Sequence, residues 1–561
     1  MGSSSTPAAG AHGFAAQPVS ANRHEENTRA GSPSLLKDGA EEPAGQPKTS
    51  HDDVEDLLSD DDIKIMDERV LKAQPTWARK VLAWLAKYKL ELQGIEPVPV
   101  ELRQDRNWLK VVGLWFSASF NLLLLSTGVF VPTYALSHLA ALIAIPLWVS
   151  LFSIIPAYIC TLGPVLGMRT MVFTRYTFGK YGTIIICIFN AATGIGYSIL
   201  NSITGGQTLS AVSPNESLTP TVGIVIICLI SLALSFMGYR ILGPVEMWVW
   251  VPIAICFIIL AAFAGTGPDG LHLVAADPEN PTTARGVLGI GALCAGLVVT
   301  YASISMDYSL SLRSDLNRPL FGFLCWLAFL LSIALPLMLG ASLGYAANDI
   351  PAWSEALDTS IGSLINLIYS THAGNFGRFL TVLLSLSVLS NLAPTLYSFG
   401  LTLQTGLPFK GISFIPRPFW PILGFGITLP LAIVGATAFA TTLTNFLAII
   451  GYWAAFYCGV VLTDYFILRH ADFRTFDIDA WNDWSRLPWG AAAITACICS
   501  LALIVPSMDQ LVPRAEPIVL QIYFTGPIAK RVGDLGFELG FILTGLTYIP
   551  LRLLERKYSG R

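Results

Sequence analysis

From about residue 108 to residue 555 the chain alternates long apolar runs with short polar intervals. A helix that crosses a bilayer needs about 20 mostly apolar residues. Runs that approach or exceed that length lie near 108–133, 138–162, 182–212, 220–239, 243–265, 286–312, 319–346, 378–405, 418–438, 441–468, 488–507 and 536–555. The pattern predicts an all-α polytopic membrane protein with about twelve transmembrane helices. A further amphipathic stretch lies at 360–370. Ahead of the first run, Trp77, Val81, Trp84, Leu85 and Tyr88 recur at helical spacing among Arg79, Lys80, Lys87 and Lys89. This predicts an amphipathic segment, 76–107, resting on the membrane surface or the protein body. Residues 1–75 are rich in Gly, Ala, Ser and Pro and then acidic, the composition of a disordered tail. The first apolar run is then expected to serve as the insertion signal.

Composition agrees. Of 561 residues, 53% are hydrophobic and 13% charged, against about 25% charged in soluble domains. The net charge of -4 is too mild to point to nucleic acid. Seven scattered His and nine Cys without a CxxC pair offer no metal-ligand spacing and no disulfide framework. No GxxxxGK[ST] loop is present, so direct drive by ATP is not expected. Basic residues gather in alternate loops: Arg169, Arg175 and Lys180; Arg240; Arg313 and Arg318; Lys410 and Arg417; Arg469, Arg474 and Arg486. The intervening loops are poorer in them, apart from Arg514, Lys530 and Arg531. That bias puts both termini in the cytosol. Asn215-Glu216-Ser217 is a glycosylation sequon in a short outer loop, close against the membrane.

Twelve spans without a soluble catalytic domain point to a secondary transporter. Transporter sites often sit where helices break near the midplane. Two runs look breakable: the first, with Ser117, Ser119, Asn121, Ser126, Thr127 and Gly128, and the sixth, with several Gly before Thr300, Ser303, Ser305 and Asp307. They lie five spans apart, the separation expected of inverted repeats. In the third run Tyr197 and Asn201 share a helix face, an aromatic surface beside an amide that both donates and accepts. That pair suits a flat heterocycle; Asn201 equally suits an interhelical hydrogen bond. In the eighth run Asn391 and Pro394 mark a polar, kink-prone point. Two acids lie at membrane depth, Glu246 and Asp307, candidates for proton coupling; Arg240 and Arg313 stand near enough in sequence to make either merely structural. No paired acids, nucleophile–base set or metal cluster suggests an enzyme.

Several segments together resemble the fungal purine–cytosine permeases of the nucleobase:cation symporter-1 family. They are QGIEPVPVELRQDRNWL, LWFSAS, GMRTMVFTRYTFGKYG, NSITGGQTLSAVS, MDYS, SNLAPTLYS, FLAIIGYWAAFYCGVVLTDYFILR and YFTGPIAKRVGDLGFELGF, covering about 92–555. The resemblance implies a five-plus-five inverted repeat with discontinuous helices 1 and 6. It divides the chain into a ten-helix core at 108–468, a cytosolic loop at 469–487, two C-terminal helices at 488–555 and a short tail, 556–561. It implies uptake of nucleobases with protons across the plasma membrane, with no cofactor beyond the proton gradient and no metal. Similar permeases carry pyridoxine (vitamin B6), the alternative substrate. The substrate-binding positions it implies are Ser119, Asn121, Tyr197, Asn201, Tyr301 and Asn391, with Glu246 matching the family's acid. Tyr197 and Tyr301 stand where the family has Trp, and Ser390 where it often has a first Asn. A Tyr hydroxyl aimed at the ligand would then tune which exocyclic groups are accepted.

Overall fold

The computed structural model describes residues 94–213, 217–236, 238–266, 270–271, 282–407, 419–509 and 525–561, without the side chains of 238–242, 438, 440–442 and 444. The acidic tail, the amphipathic helix expected around Trp77–Tyr88, Lys410, Arg417, Arg514 and Asn215 lie outside these residues. Among the described residues there is no β-strand beyond two isolated bridges.

The helices run α1 (Leu109–Ser119), α2 (Leu122–Val129), α3 (His138–Cys160), α4 (Thr170–Ala211), α5 (Pro220–Phe236), α6 (Gly238–Ala264), α7 (Ala284–Val299), α8 (Arg318–Asp349), α9 (Ile361–Leu386), α10 (Leu389–Gly406), α11 (Phe419–Gly435), α12 (Phe439–Thr463), α13 (Ala491–Ser507) and α14 (Gly536–Ser559). Among the described residues, eight helical stretches are long and apolar enough to cross a membrane, and the bent pair α1–α2 makes a ninth. Three shorter apolar helices, α5, α11 and α13, have 17 residues each, about 26 Å of rise. Each of the twelve apolar runs therefore falls on a helix. Their outward faces carry exposed Leu147, Leu151, Ile188, Ile258 and Leu546, which only lipid can cover at this density. The amphipathic stretch at 360–370 is helical too, set off from the rest of α9 by Gly374 in the left-handed region (φ 53°).

Both expected breaks are present. Between α1 and α2 the chain bends by 42°, with Phe120 (ψ 74°) and Asn121 (φ −143°) out of helical conformation. The orphaned groups are answered locally and by the eighth apolar run. The Asn121 side chain accepts from the N–H of Leu123 at 2.9 Å and of Leu124 at 3.4 Å, a helix N-cap. Leu122 N–H donates to Ser387 Oγ at 3.0 Å. The carbonyls of Ser117 and Ala118 accept from Ser390 Oγ (2.7 Å) and Asn391 Nδ2 (2.8 Å). The α-helix of the sixth run stops at Val299 and continues as two tight turns, Thr300–Ser303 and Ser305–Tyr308.

The segment before α1 is a fastening. Buried Arg103 donates to the carbonyls of Val98 (2.8 Å), Pro164 (3.1 Å), Val165 (2.7 Å) and Leu166 (3.2 Å). It thereby closes the C-terminal end of the short helix after α3, where Gly167 takes φ 64°. Thus 94–107 is extended and tight-turned, where the sequence reading placed part of an amphipathic element.

The start of α4 also departs from expectation. Residues 170–181, read as a basic loop, are helical, with Gly179 at φ 62° marking the joint. Arg175 is buried, its guanidinium over the rings of Trp481 (5.6 Å) and Trp484 (5.1 Å). Charge made this stretch resemble a solvated loop; cation–π contact from the 469–487 segment is what covers it.

Where α2 crosses α8 the backbones nearly touch. A Cβ on Gly340 would lie 2.0 Å from the Leu125 carbonyl oxygen. Gly340→Ala should therefore destabilise the bundle by about 1–3 kcal/mol through overpacking. Thermal melting in detergent checks this, with Gly426→Ala as control, since nothing lies within 4 Å of a Cβ there. An unchanged melting temperature for Gly340→Ala would contradict the close crossing.

Candidate substrate cleft

Beside the two breaks lies a narrow cleft of about 40 Å³. Its walls come from three elements: α4, the turns after α7, and α10. Tyr197, Tyr301 and Asn391 line it together. The Tyr301 ring packs edge-on to Trp115 at 5.7 Å and against Phe329 at 5.4 Å. The Tyr197 ring is held by an edge contact to Phe446 at 5.7 Å.

Both tyrosine hydroxyls have protein partners. Tyr197 Oη donates to the Gly296 carbonyl at 2.9 Å. Tyr301 Oη accepts from Asn391 Nδ2 at 3.0 Å. Both residues line the cleft. Asn391 is the hub: its Oδ1 also accepts from Asn201 Nδ2 at 2.9 Å. Asn201 lies one turn behind Tyr197 and donates to its carbonyl at 2.8 Å. Asn201 Oδ1 is buried without a hydrogen-bond partner among the described residues. Both uses weighed for Asn201 are therefore open to it: Nδ2 makes the interhelical bond, and Oδ1 is uncommitted.

The remaining candidates are placed differently. Ser119 is fully buried in the last turn of α1, and Asn121 is spent on the cap of α2; neither lines the cleft. Asp307 is nearly buried and accepts from the N–H of Thr170 at 2.8 Å, at the first residue of α4, where a helix favours an anion. Arg169 donates to its carbonyl at 3.2 Å. The sequence neighbour Arg313 instead pairs with Asp315. Glu246 is 3% exposed, and its Oε2 has no hydrogen-bond partner among the described residues. Its backbone carbonyl accepts from Ser117 Oγ, and Ser117 Oγ in turn accepts from the N–H of Trp250 at 3.1 Å. The acid-bearing turn of α6 is thus fastened to the same end of α1 that Ser390 holds from α10. Arg240 has no described side chain.

Site reading from sequence passed over a polar stripe. Asn391, Thr395, Ser398 and Thr402 follow one face of α10, opposite Asn190, Thr193 and Tyr197 on α4. The signal was present as i, i+4, i+7, i+11 spacing, but each hydroxyl alone reads as an ordinary helix residue that bonds its own backbone.

The sequence matches the family of permeases for cytosine/purines, uracil, thiamine and allantoin over residues 97–526. The chain belongs to this permease family. The permease is 28% identical over 506 residues to purine-cytosine permease FCY21 of Saccharomyces cerevisiae, covering 88% of the chain and 91% of that protein. It is 30% identical over 491 residues to purine-cytosine permease fcyB of Emericella nidulans, with 86% and 92% covered. The vitamin B6 transporter TPN1 of Saccharomyces cerevisiae is 26% identical over 554 residues, with 87% and 93% covered. These relatives are named as transport proteins, not enzymes. In three dimensions the permease resembles Mhp1, a nucleobase-cation-symport-1 family transporter, in a closed conformation with bromovinylhydantoin bound: TM-score 0.63, 16% identity, 83% of this chain and 96% of that one. At that identity the likeness establishes the fold alone, that of an all-α membrane protein.

Proposed function

We propose that the permease imports nucleobases, cytosine and purines, by proton symport across a fungal plasma membrane, with both termini cytosolic. Twelve spans, ten in a five-plus-five inverted repeat and two further helices after it, form part of this reading. The observation that carries it is the cleft at the helix breaks, where two tyrosine rings flank an amide hub in a chain of this family. Ring faces stack on a planar heterocycle, while amides answer its ring nitrogens and exocyclic groups. Ser119, Asn121 and Asn201 support the cleft from behind, and Asp307 holds the inner end of the sixth span to α4. Glu246 is assigned the coupling proton.

The test is uptake of radiolabelled cytosine, adenine, hypoxanthine and pyridoxine by yeast lacking its own nucleobase and pyridoxine permeases, with and without an uncoupler. Uncoupler-sensitive uptake of cytosine or a purine is expected. Uptake of pyridoxine alone would move the substrate to the second reading, which the 26% identity to a vitamin B6 transporter favours. No uptake of any of them by surface-expressed protein would overturn both.

A further inference from the structure

The cleft does not end at the tyrosines. Asn190 lies seven residues before Tyr197 on α4, about 10 Å along the helix toward its basic end. It is 7% exposed and lines the same cleft. Its amide joins three elements at once: Nδ2 donates to Thr402 Oγ1 on α10 at 2.8 Å, and Oδ1 accepts from Ser303 Oγ, in the turn after α7, at 2.6 Å. A ring leaving the tyrosines toward the basic end meets this tie.

We propose that Asn190 is the gate-holding residue of the cleft, and that parting the Ser303–Asn190–Thr402 tie is what releases the heterocycle to the inner side. The proposal rests on the cleft being the transport site and names the residue that closes it. Three observations support it. First, both hydrogen bonds are between neutral groups, which exchange with water at small net cost; such a tie opens and recloses readily. Second, its two partners are held to each other without it. Ser303 belongs to the segment whose far end is fixed by Tyr308 Oη, which donates to the Pro394 carbonyl at 2.9 Å, and by Thr170 Oγ1, which accepts from the N–H of Met306 at 3.0 Å. Tyr308 Oη also meets Ser398 Oγ on α10 at 2.7 Å, one turn from Thr402. With Ser303 and Thr402 held in place, the movable part is the amide side chain itself. Third, the polar stripe of Thr395, Ser398 and Thr402 continues from the tyrosines to the tie, so a polar heterocycle keeps hydrogen-bonding company along the way.

The chain supplies its own reporter. Cys187 lies three residues beyond Asn190 toward the basic end of α4 and is buried at 2% exposure, close against Gly406 of α10. In substrate-free protein, alkylation of Cys187 by N-ethylmaleimide, read by mass spectrometry, should proceed about tenfold faster in Asn190→Ala than in wild type, the size expected from losing one to two net hydrogen bonds. Thr402→Val removes one of the two bonds and should give an intermediate rate. The fully buried thiols Cys294 and Cys458 should stay protected in both. In proteoliposomes, efflux of preloaded radiolabelled cytosine should speed up in both variants, while the apparent affinity measured from the outer side changes less. Equal protection of Cys187 in wild type and both variants would overturn the gate. Exposure of Cys458 together with Cys187 in both variants would overturn it too, making the tie a contact that holds the fold. The labelling needs no substrate, so it stands apart from the nucleobase reading, which fails only if wild-type protein does not move the bases.

Discussion

Asn391→Ala should abolish uptake while the protein still reaches the cell surface. The Asn391 side chain makes four contacts that no alanine replaces: it accepts from Asn201, donates to the Ala118 carbonyl and to Tyr301 Oη, and lies within 3.4 Å of Thr395 Oγ1. Its loss leaves the Ala118 carbonyl, at the break in the first span, without this donor. It also frees the Tyr301 ring to turn. The Ala118 carbonyl keeps Asn121 Nδ2 at 2.8 Å and Asn201 Nδ2 keeps the Tyr197 carbonyl, so the cost is that of three lost hydrogen bonds at about 0.5–1.5 kcal/mol net each, which corresponds to a fall in initial uptake rate of about 100-fold. Radiolabelled cytosine uptake, normalised to surface signal from a fluorescent tag, measures it. Asn391→Asp keeps the acceptor for Asn201 but loses both donors, and should be nearly as inactive. Uptake above half of wild type in the alanine variant would place the substrate elsewhere.

Glu246→Gln should uncouple the permease from protons. The carboxylate is buried on α6 with one oxygen unpartnered among the described residues. An isolated ionised carboxylate at membrane depth is expensive, and a proton arriving with the substrate relieves that cost. Gln keeps the shape and cannot carry the proton. Wild-type uptake should rise as external pH falls and collapse with an uncoupler. In Glu246→Gln, accumulation across a one-unit pH gradient should fall by about tenfold, the ~1.4 kcal/mol that one coupled proton supplies, and lose both dependences. Exchange of labelled for unlabelled cytosine across equilibrated vesicles should persist. Normal pH-dependent accumulation by well-expressed Glu246→Gln would remove the acid from the coupling step.

Much of the fold was legible because lipid demands unbroken apolar runs, and a run of that kind needs no tertiary information to be recognised. The break at Phe120–Asn121 was legible for a related reason: polar side chains at membrane depth need a use. The buried fate of Arg175 was not legible, because the rings that cover it, Trp481 and Trp484, lie some three hundred residues further on. Tyr197 could be singled out from its spacing with Asn201, and Asn391 from its place beside Pro394, whereas Tyr301 was implied only by the resemblance to the permease family. The committed hydroxyls of the two tyrosines could not be anticipated, since their partners, Gly296 O and Asn391 Nδ2, come from other elements. Asn121 shows the converse: a polar residue at the expected place whose groups are consumed by the backbone beside it.

The break in the first span also has an order in time. Three of its backbone groups, on Ser117, Ala118 and Leu122, find partners on residues 265 to 273 positions later. A ribosome has made six further apolar runs before those partners exist. Until then the Ala118 carbonyl has the neighbouring Asn121 Nδ2, but the Ser117 carbonyl and the Leu122 N–H lack these partners and turn to water or to an unbroken helix. The bent conformation is therefore a late product of assembly, set when the eighth run docks, and a chain truncated before residue 387 would lack what holds it open.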